Sequence, residues 1–284
     1  MKALLLRALG RFLALDRRWI FLLMALCIVT PLILPIGLPF TPDPAVRNLH
    51  RAIEDLPEGS VVLVSCDYDP GSKPELQPFT EALFRHLFRR KLKVVVSCLW
   101  AGAPPLVNQA IAQALEAEDI RPLGLKDKVD YVNLGYKDGR QLVMLGMGEN
   151  IHSTFPKSND GTPVSQIPLM QRMRKLGDSQ LFVNVSGGSP GTKEWVETAQ
   201  GRFGLRMVAA CTAVMAPDNI PYYEAGQLLG LAGGMKGSAD YEQLVGLPGS
   251  ATRGMAAQSF GHLLIIAFIA LGNVAFFMTR GRKR

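Results

Sequence analysis

The segment Asp67-Tyr68-Asp69-Pro70-Gly71-Ser72 sets two carboxylates two residues apart, directly after a β-branched run and at the start of a helical pattern. A second segment, Ser186-Gly187-Gly188-Ser189-Pro190-Gly191-Thr192-Lys193-Glu194, offers glycines, hydroxyls and a lysine at another helix start. Backbone amides at a helix N-terminus point outward and favour an anion such as phosphate or carboxylate. The chemistry open to these loops is binding or turnover of a phosphorylated or otherwise anionic small molecule. Asp67, Asp69, Gly71, Ser72, Ser186, Gly187, Gly188, Ser189, Thr192 and Lys193 are the candidate ligand-binding residues. The same residues also fit a plain structural account, with Ser189-Pro190 as an N-cap followed by Pro at N1 and the glycines making the turn.

The motifs around these residues narrow the chemistry. The second loop is not a Walker loop, because Thr192 stands where the motif needs Gly and Glu194 where it needs Ser or Thr. Asp67-x-Asp69 at a strand end resembles the haloacid dehalogenase-like phosphatases, a resemblance that implies Asp67 as nucleophile and Asp69 as acid. Gly71 occupies that family's next hydroxyl position, no paired-acid magnesium motif follows, and Asp218 has no close acidic neighbour. Ser186 to Gly191 resembles the oxyanion loop of Clp-type serine proteases, yet no serine stands at a plausible nucleophile position between Cys211 and Asp218. No catalytic residue is assigned, and no cofactor is implied.

These loops must be held by the elements around them. From Ser60 the chain alternates β-branched runs with helical patterns, the sign of a parallel sheet covered by helices. Strands are predicted over Val61 to Cys66, Val94 to Cys98, Tyr131 to Leu134, Gln180 to Ser186 and Arg206 to Thr212. Helices are predicted from about Glu75 to Arg90, with Leu76, Phe79, Leu83, Phe84 and Leu87 on one side and a Ser72/Glu75 capping box, and from Pro105 to about Ala117. Further helices are predicted over Gly139 to about His152, where a strand is the alternative, Pro168 to Leu176, and Pro190 to Phe203. Ser153 to Ile167 is a Gly-, Pro- and Ser-rich excursion, longer than most connections. The fold class is α/β, a Rossmann-like, mostly parallel five-stranded sheet with helices on both faces. The candidate loops face each other at its carboxyl edge if the first and fourth strands are the central pair.

Cys66 and Cys98 end the first two strands as matching Ser-Cys pairs. They are either two buried thiols or, if the strands are in register in an oxidising setting, a disulfide. Neither Cys27 nor Cys211 has a nearby His or Cys arrangement suited to zinc, and no residue is assigned to a metal. Gly226, Gly230, Gly233, Gly234 and Gly237 interrupt a leucine-rich stretch. Such small residues permit close approach, either to a neighbouring subunit or membrane surface or to the domain's own sheet.

Two apolar segments bracket this domain, Trp19 to about Pro39 and Phe260 to Met278. The net charge is +7, of which residues 1–40 and 280–284 carry +4 each, so the middle sums to −1. A neutral central domain has no electrostatic footprint for nucleic acid, and the basic excess reads as topology. The expected layout is a cytoplasmic basic amphipathic segment (1–18), a transmembrane helix (19–39), an extracytoplasmic α/β domain (41–258), a second transmembrane helix (259–279) and a cytoplasmic basic tail (280–284) of a plasma (inner) membrane protein. Pro31 and Pro35 would kink or end the first span, and His262 and Asn273 place polar groups in the second.

The ordered set Asp67-Tyr68-Asp69-Pro70-Gly71, Leu134-Gly135-Tyr136-Lys137, Phe155-Pro156, Gly161-Thr162-Pro163, Pro190-Gly191-Thr192-Lys193-Glu194-Trp195, Gly226-Gln227-Leu228 and Tyr241-Glu242 resembles an uncharacterised family of prokaryotic two-span membrane proteins. The resemblance covers nearly the whole chain and implies the same anchored α/β layout, with no catalytic residues to carry over. The expected function is a binding or assembly component of a membrane complex, with the bilayer and either self-association or another membrane protein as partners. The alternative is an enzyme or sensor for an anionic small molecule at the strand carboxyl ends.

Overall fold

The computed structural model describes residues 16–34 and 41–280. They fall into two compact units, Met1–Pro39 with Arg253–Arg284 and Phe40–Thr252. The first unit holds α1 (Arg17–Ile33), capped by Asp16 accepting from the Arg18 amide. The second opens with α2 (Pro44–Glu54), which the sequence reading did not anticipate; Asp43 caps it and Pro44 occupies its first turn.

The sheet is built from β1 (Val61–Asp67), β2 (Lys93–Cys98), β3 (Tyr131–Tyr136), β4 (Leu181–Ser186), β5 (Met207–Cys211) and β6 (Leu231–Gly233), in the order β3-β2-β1-β4-β5-β6. Every pairing is parallel. The expected five strands are therefore six. The sixth was missed because three residues inside a glycine-rich run show no readable period.

All seven residues of β1 are buried, as a central parallel strand covered on both faces requires. Val62, Val64 and Cys66 point to one core, under α2, α3 (Lys73–Arg89), α4 (Ala103–Glu116) and α10 (Gly234–Leu244). Val61 and Leu63 point to the other core, whose cover includes α5 (Gln141–Glu149) and α6 (Ile151–Thr154). That cover continues in α7 (Thr192–Trp195), which passes through a π turn over Val196–Gln200 into α8 (Gly201–Phe203), and in the residues of α9 (Ala216–Glu224) packed beside it.

Several local expectations change. The excursion after α6 is a packed lid, because Phe155, Val164 and Ile167 are buried in the second core. Instead of a helix over Pro168 to Leu176 there are short 3-10 turns at Leu169–Arg172 and Leu176–Asp178, which bury Leu169, Met170 and Leu176. The Ser72/Glu75 capping box does not form. Ser72 makes no side-chain cap bond, and Glu75 instead accepts from the Ala213 amide.

Cys66 and Cys98 are free and buried on neighbouring strands in register, both thiols pushed well above their ordinary pKa by burial. The glycine-rich stretch packs within its own domain. A Cβ on Gly230 would fall 2.3 Å from the Leu49 nitrogen of α2, and one on Gly237 would fall 2.8 Å from the Ala232 carbonyl carbon of β6.

The chain re-enters the first unit through α11 (Ser250–Arg280), and an 18-residue window within its Ser250–Met278 stretch has a mean hydropathy of 2.1. It is the one helix among the described residues long and apolar enough to cross a membrane. Helix α1 has 17 residues, about 26 Å at ~1.5 Å each against a hydrocarbon core of ~30 Å. The remainder of the first expected span (35–39), most of the basic amphipathic segment (1–15) and the tail residues 281–284 lie outside the described residues.

Candidate functional site

Strands β1 and β4 are neighbours, with β1 leading outward to β2 and β4 to β5, so the sheet reverses its winding between them. In a doubly wound sheet this is where ligands bind, at the carboxyl ends of the strands. Both candidate loops start here, and they touch. The Gly187 amide donates to the Asp67 carbonyl at 3.0 Å, and a Cβ on Gly187 would fall 2.4 Å from Ser72 Oγ. The loop after β2 joins them through Trp100, whose indole donates to the Pro190 carbonyl at 2.9 Å and whose ring would lie 3.2 Å from a Cβ on Gly188.

Asp67 is fully buried, and its carboxylate is surrounded by donors. Oδ1 accepts from the Leu99 amide at 2.8 Å; Oδ2 accepts from Asn184 Nδ2 and Trp195 Nε1, each at 2.8 Å. Ser65 Oγ lies 2.9 Å from both oxygens. Burial raises the Asp67 pKa to about 6, against four hydrogen bonds that favour the charged form. Trp195 fills the space alongside with its ring 4.6 Å from Phe182. The carboxylate thus ties β1, the β2 loop, β4 and α7 together.

The other candidates are similarly engaged within the protein. Asp69 Oδ1 accepts from the Gly71 and Ser72 amides at 3.0 and 3.3 Å and closes the turn that carries both. Thr192 Oγ1 donates to Asn184 Oδ1 at 2.8 Å, and the Thr192 amide donates to Ser186 Oγ at 3.2 Å. Ser189, which follows Gly188 and forms a cis peptide with Pro190, donates to Glu194 Oε1 at 2.5 Å. The Gly191 amide donates to Glu194 Oε2 at 2.8 Å. Thus the helix begins at Thr192, with Glu194 reaching back to the amide that precedes it, rather than at Ser189-Pro190. Lys193 is exposed on the surface of α7.

A second cluster, which the sequence reading did not find, sits at the opposite end of the strands. His50 and Glu54 lie one turn apart on α2, and His86 comes from the last turn of α3. His86 Nε2 is 2.9 Å and His50 Nε2 is 3.8 Å from Glu54 Oε1. Tyr241 of α10 meets His86 Nδ1 at 2.7 Å. Burial lowers both imidazoles, His86 to about 4, so both are neutral at physiological pH. Burial would raise the Glu54 carboxyl, but the His86 hydrogen bond and the Arg90 charge outweigh it and hold it below its ordinary value. The one signal of this cluster in the sequence is the His-x-x-x-Glu spacing of α2.

No family model matches this chain, and no curated protein or solved structure matches it either.

Proposed function

We propose that this chain is a membrane-anchored α/β domain acting as a binding or assembly component of a membrane complex. The observation that carries the reading is the apolar surface of α11, on which Leu263, Ile266, Ile269 and Phe277 are exposed along one continuous helix. Such a surface calls for lipid or another apolar helix. Helix α1, with Trp19, Phe21 and Ile33 exposed, supplies the second contact with the bilayer, and Leu26, Cys27, Thr30 and Pro31 of α1 line one cavity with Phe260 of α11.

In this proposal both termini are cytoplasmic in the plasma (inner) membrane, and the α/β domain is displayed outside. The partners are the bilayer and a second copy or another membrane protein; the net charge of −1 between the basic ends speaks against nucleic acid. The two-span family resembled by the ordered motifs is part of the same proposal. A reporter fused after Arg284 is expected to be active in the cytoplasm, and crosslinking in native membranes is expected to trap a neighbour. An extracytoplasmic reporter would refute the topology, and a strictly monomeric, isolated chain would refute the assembly role.

The convergence of three loops at the β1/β4 switch point supports a second reading, an enzyme or sensor for an anionic small molecule. There, phosphorylated metabolites would raise the melting temperature of the wild-type protein and lose that effect in Lys193→Ala. Absence of any such shift would remove this reading.

A further inference from the structure

We propose that His50, Glu54 and His86 bind one divalent transition-metal ion, zinc by donor type, at the amino end of the sheet. Their ligand atoms all lie within 4.8 Å of one another, and Glu54 Oε1 faces both imidazoles, 2.9 Å from His86 Nε2 and 3.8 Å from His50 Nε2. In a tetrahedral zinc site with bonds of about 2.0–2.2 Å, ligand atoms sit roughly 3.3 Å apart, so the His86–Glu54 pair at 2.9 Å has to open and the His50–Glu54 pair at 3.8 Å has to close for the three atoms to share an ion. Two imidazoles and one carboxylate are a borderline-soft set that suits zinc and disfavours calcium or magnesium, which prefer oxygen alone.

Each ligand has a distinct part. His86 is 1% exposed, and the Tyr241 hydroxyl at its Nδ1 leaves Nε2 as the coordinating nitrogen. A ligating histidine fixed through its other ring nitrogen is the usual outer-shell arrangement of metal sites. His50 stacks on His86 with centroids 4.7 Å apart and planes at 18°. One ring must turn for both lone pairs to converge, and the His50 side chain, 21% exposed, has the room. Glu54, with 40% of its side chain accessible, opens the site to solvent. Its other oxygen faces Arg90 Nε at 3.4 Å, which leaves Oε1 directed at the imidazoles. Three protein ligands leave a fourth position for water. The ion would join α2 to α3 and, through Tyr241, to α10.

The test uses the untagged full chain in detergent, stripped with chelator and titrated with Co²⁺ and then Zn²⁺. We expect one equivalent of Co²⁺ with the intense visible bands of a tetrahedral site, their loss on adding Zn²⁺, and a raised melting temperature. His86 is buried and its replacement risks the fold, so the variants are His50→Gln and Glu54→Gln, each checked by circular dichroism. Both are expected to weaken Co²⁺ binding at least tenfold while remaining folded. Tyr241→Phe is expected to weaken it about 10- to 100-fold, as loss of an outer-shell partner does. A wild-type protein without a stoichiometric Co²⁺ spectrum would overturn the proposal, leaving a hydrogen-bonded Tyr241–His86–Glu54 relay. An unchanged spectrum in His50→Gln would overturn it as well.

Discussion

Replacing Asp67 with Asn tests whether the centre of the switch point is a charged fastening. The amide keeps the shape but exchanges one acceptor oxygen for a donor. If the NH₂ takes the Oδ1 position it faces the Leu99 amide, fixed by backbone; if it takes Oδ2 it faces Asn184 Nδ2 and Trp195 Nε1. Turning the Asn184 amide to accommodate it would break the bond from Thr192 Oγ1. At least one buried donor is left unsatisfied, at about 1–3 kcal/mol, while the removal of a buried charge acts in the opposite sense. Two comparable terms make the pH dependence the decisive measurement. The folded pKa is about 6, above the ordinary value of 3.8. The native state therefore binds the proton more tightly, and Asp67 adds stability as pH falls through 6 towards 3.8, roughly 3 kcal/mol in all. Asn lacks that gain. Urea unfolding of the full chain in detergent, followed by the fluorescence of the buried Trp195, is expected to show the variant losing about 2 kcal/mol relative to wild type between pH 7.5 and 4. His86 titrates over an overlapping window with the opposite sign, but it is present in both proteins and drops out of the difference. Parallel curves would refute the shift. A variant that gains on wild type at low pH would show that the four donors hold the folded pKa below its ordinary value.

Two other tests, the first with a control substitution, bear on how the domain is closed. Gly230→Ala places a Cβ 2.3 Å from the Leu49 nitrogen and 2.5 Å from its Cα, both backbone atoms of α2. It is expected to cost about 1–3 kcal/mol and several degrees of melting temperature, whereas Gly177→Ala, with nothing within 4 Å, is expected to be nearly neutral. Glu242, 3% exposed, accepts from the amides of Gly249, Ala251 and Thr252 and from Thr252 Oγ1 at the start of α11. Glu242→Gln sets an amide donor against those amides and is expected to speed hydrogen exchange over residues 249–252 tenfold or more; unchanged exchange would show that the helix start does not depend on this carboxylate.

The sequence shows β1 and β2 plainly because Val61–Val64 and Val94–Val96 are continuous apolar, valine-rich runs, as doubly buried parallel strands require. That the β1 and β4 loops meet follows from the sequence only if those strands are the central pair, and the strand order supplies that condition. What those loops do with their polar groups is not legible locally. Trp195 lies 128 residues from Asp67 and Asn184 lies 117, and only the packed sheet brings them together. The missing helix over Pro168 to Leu176 has a related cause: its apolar residues fit a helical face, but the prolines before it and its tertiary burial are met by 3-10 turns instead. Likewise, His50 and Glu54 show their spacing on α2, while His86 joins them from 32 residues beyond Glu54 through helix packing.

The arrangement at the switch point bears on which functional reading is physically easier. A free anion arriving there meets Glu194, whose two oxygens already accept from the Gly191 amide and Ser189 Oγ. Displacing it exchanges a tethered carboxylate for an untethered one. The hydrogen bonds gained resemble those lost, and association adds an estimated 4 kcal/mol or more in lost translational and rotational freedom. A ligand therefore has to find further contacts, and Lys193, exposed on the same turn, is the cation among the candidate residues that stands nearest in sequence. Asp67 offers little help, because its two oxygens are filled by four donors. An assembly role carries the same association cost but displaces no internal hydrogen bond, since it draws on apolar surface of α11 that is exposed from Leu263 to Phe277. That difference is why we favour the binding or assembly reading over chemistry at the strand ends.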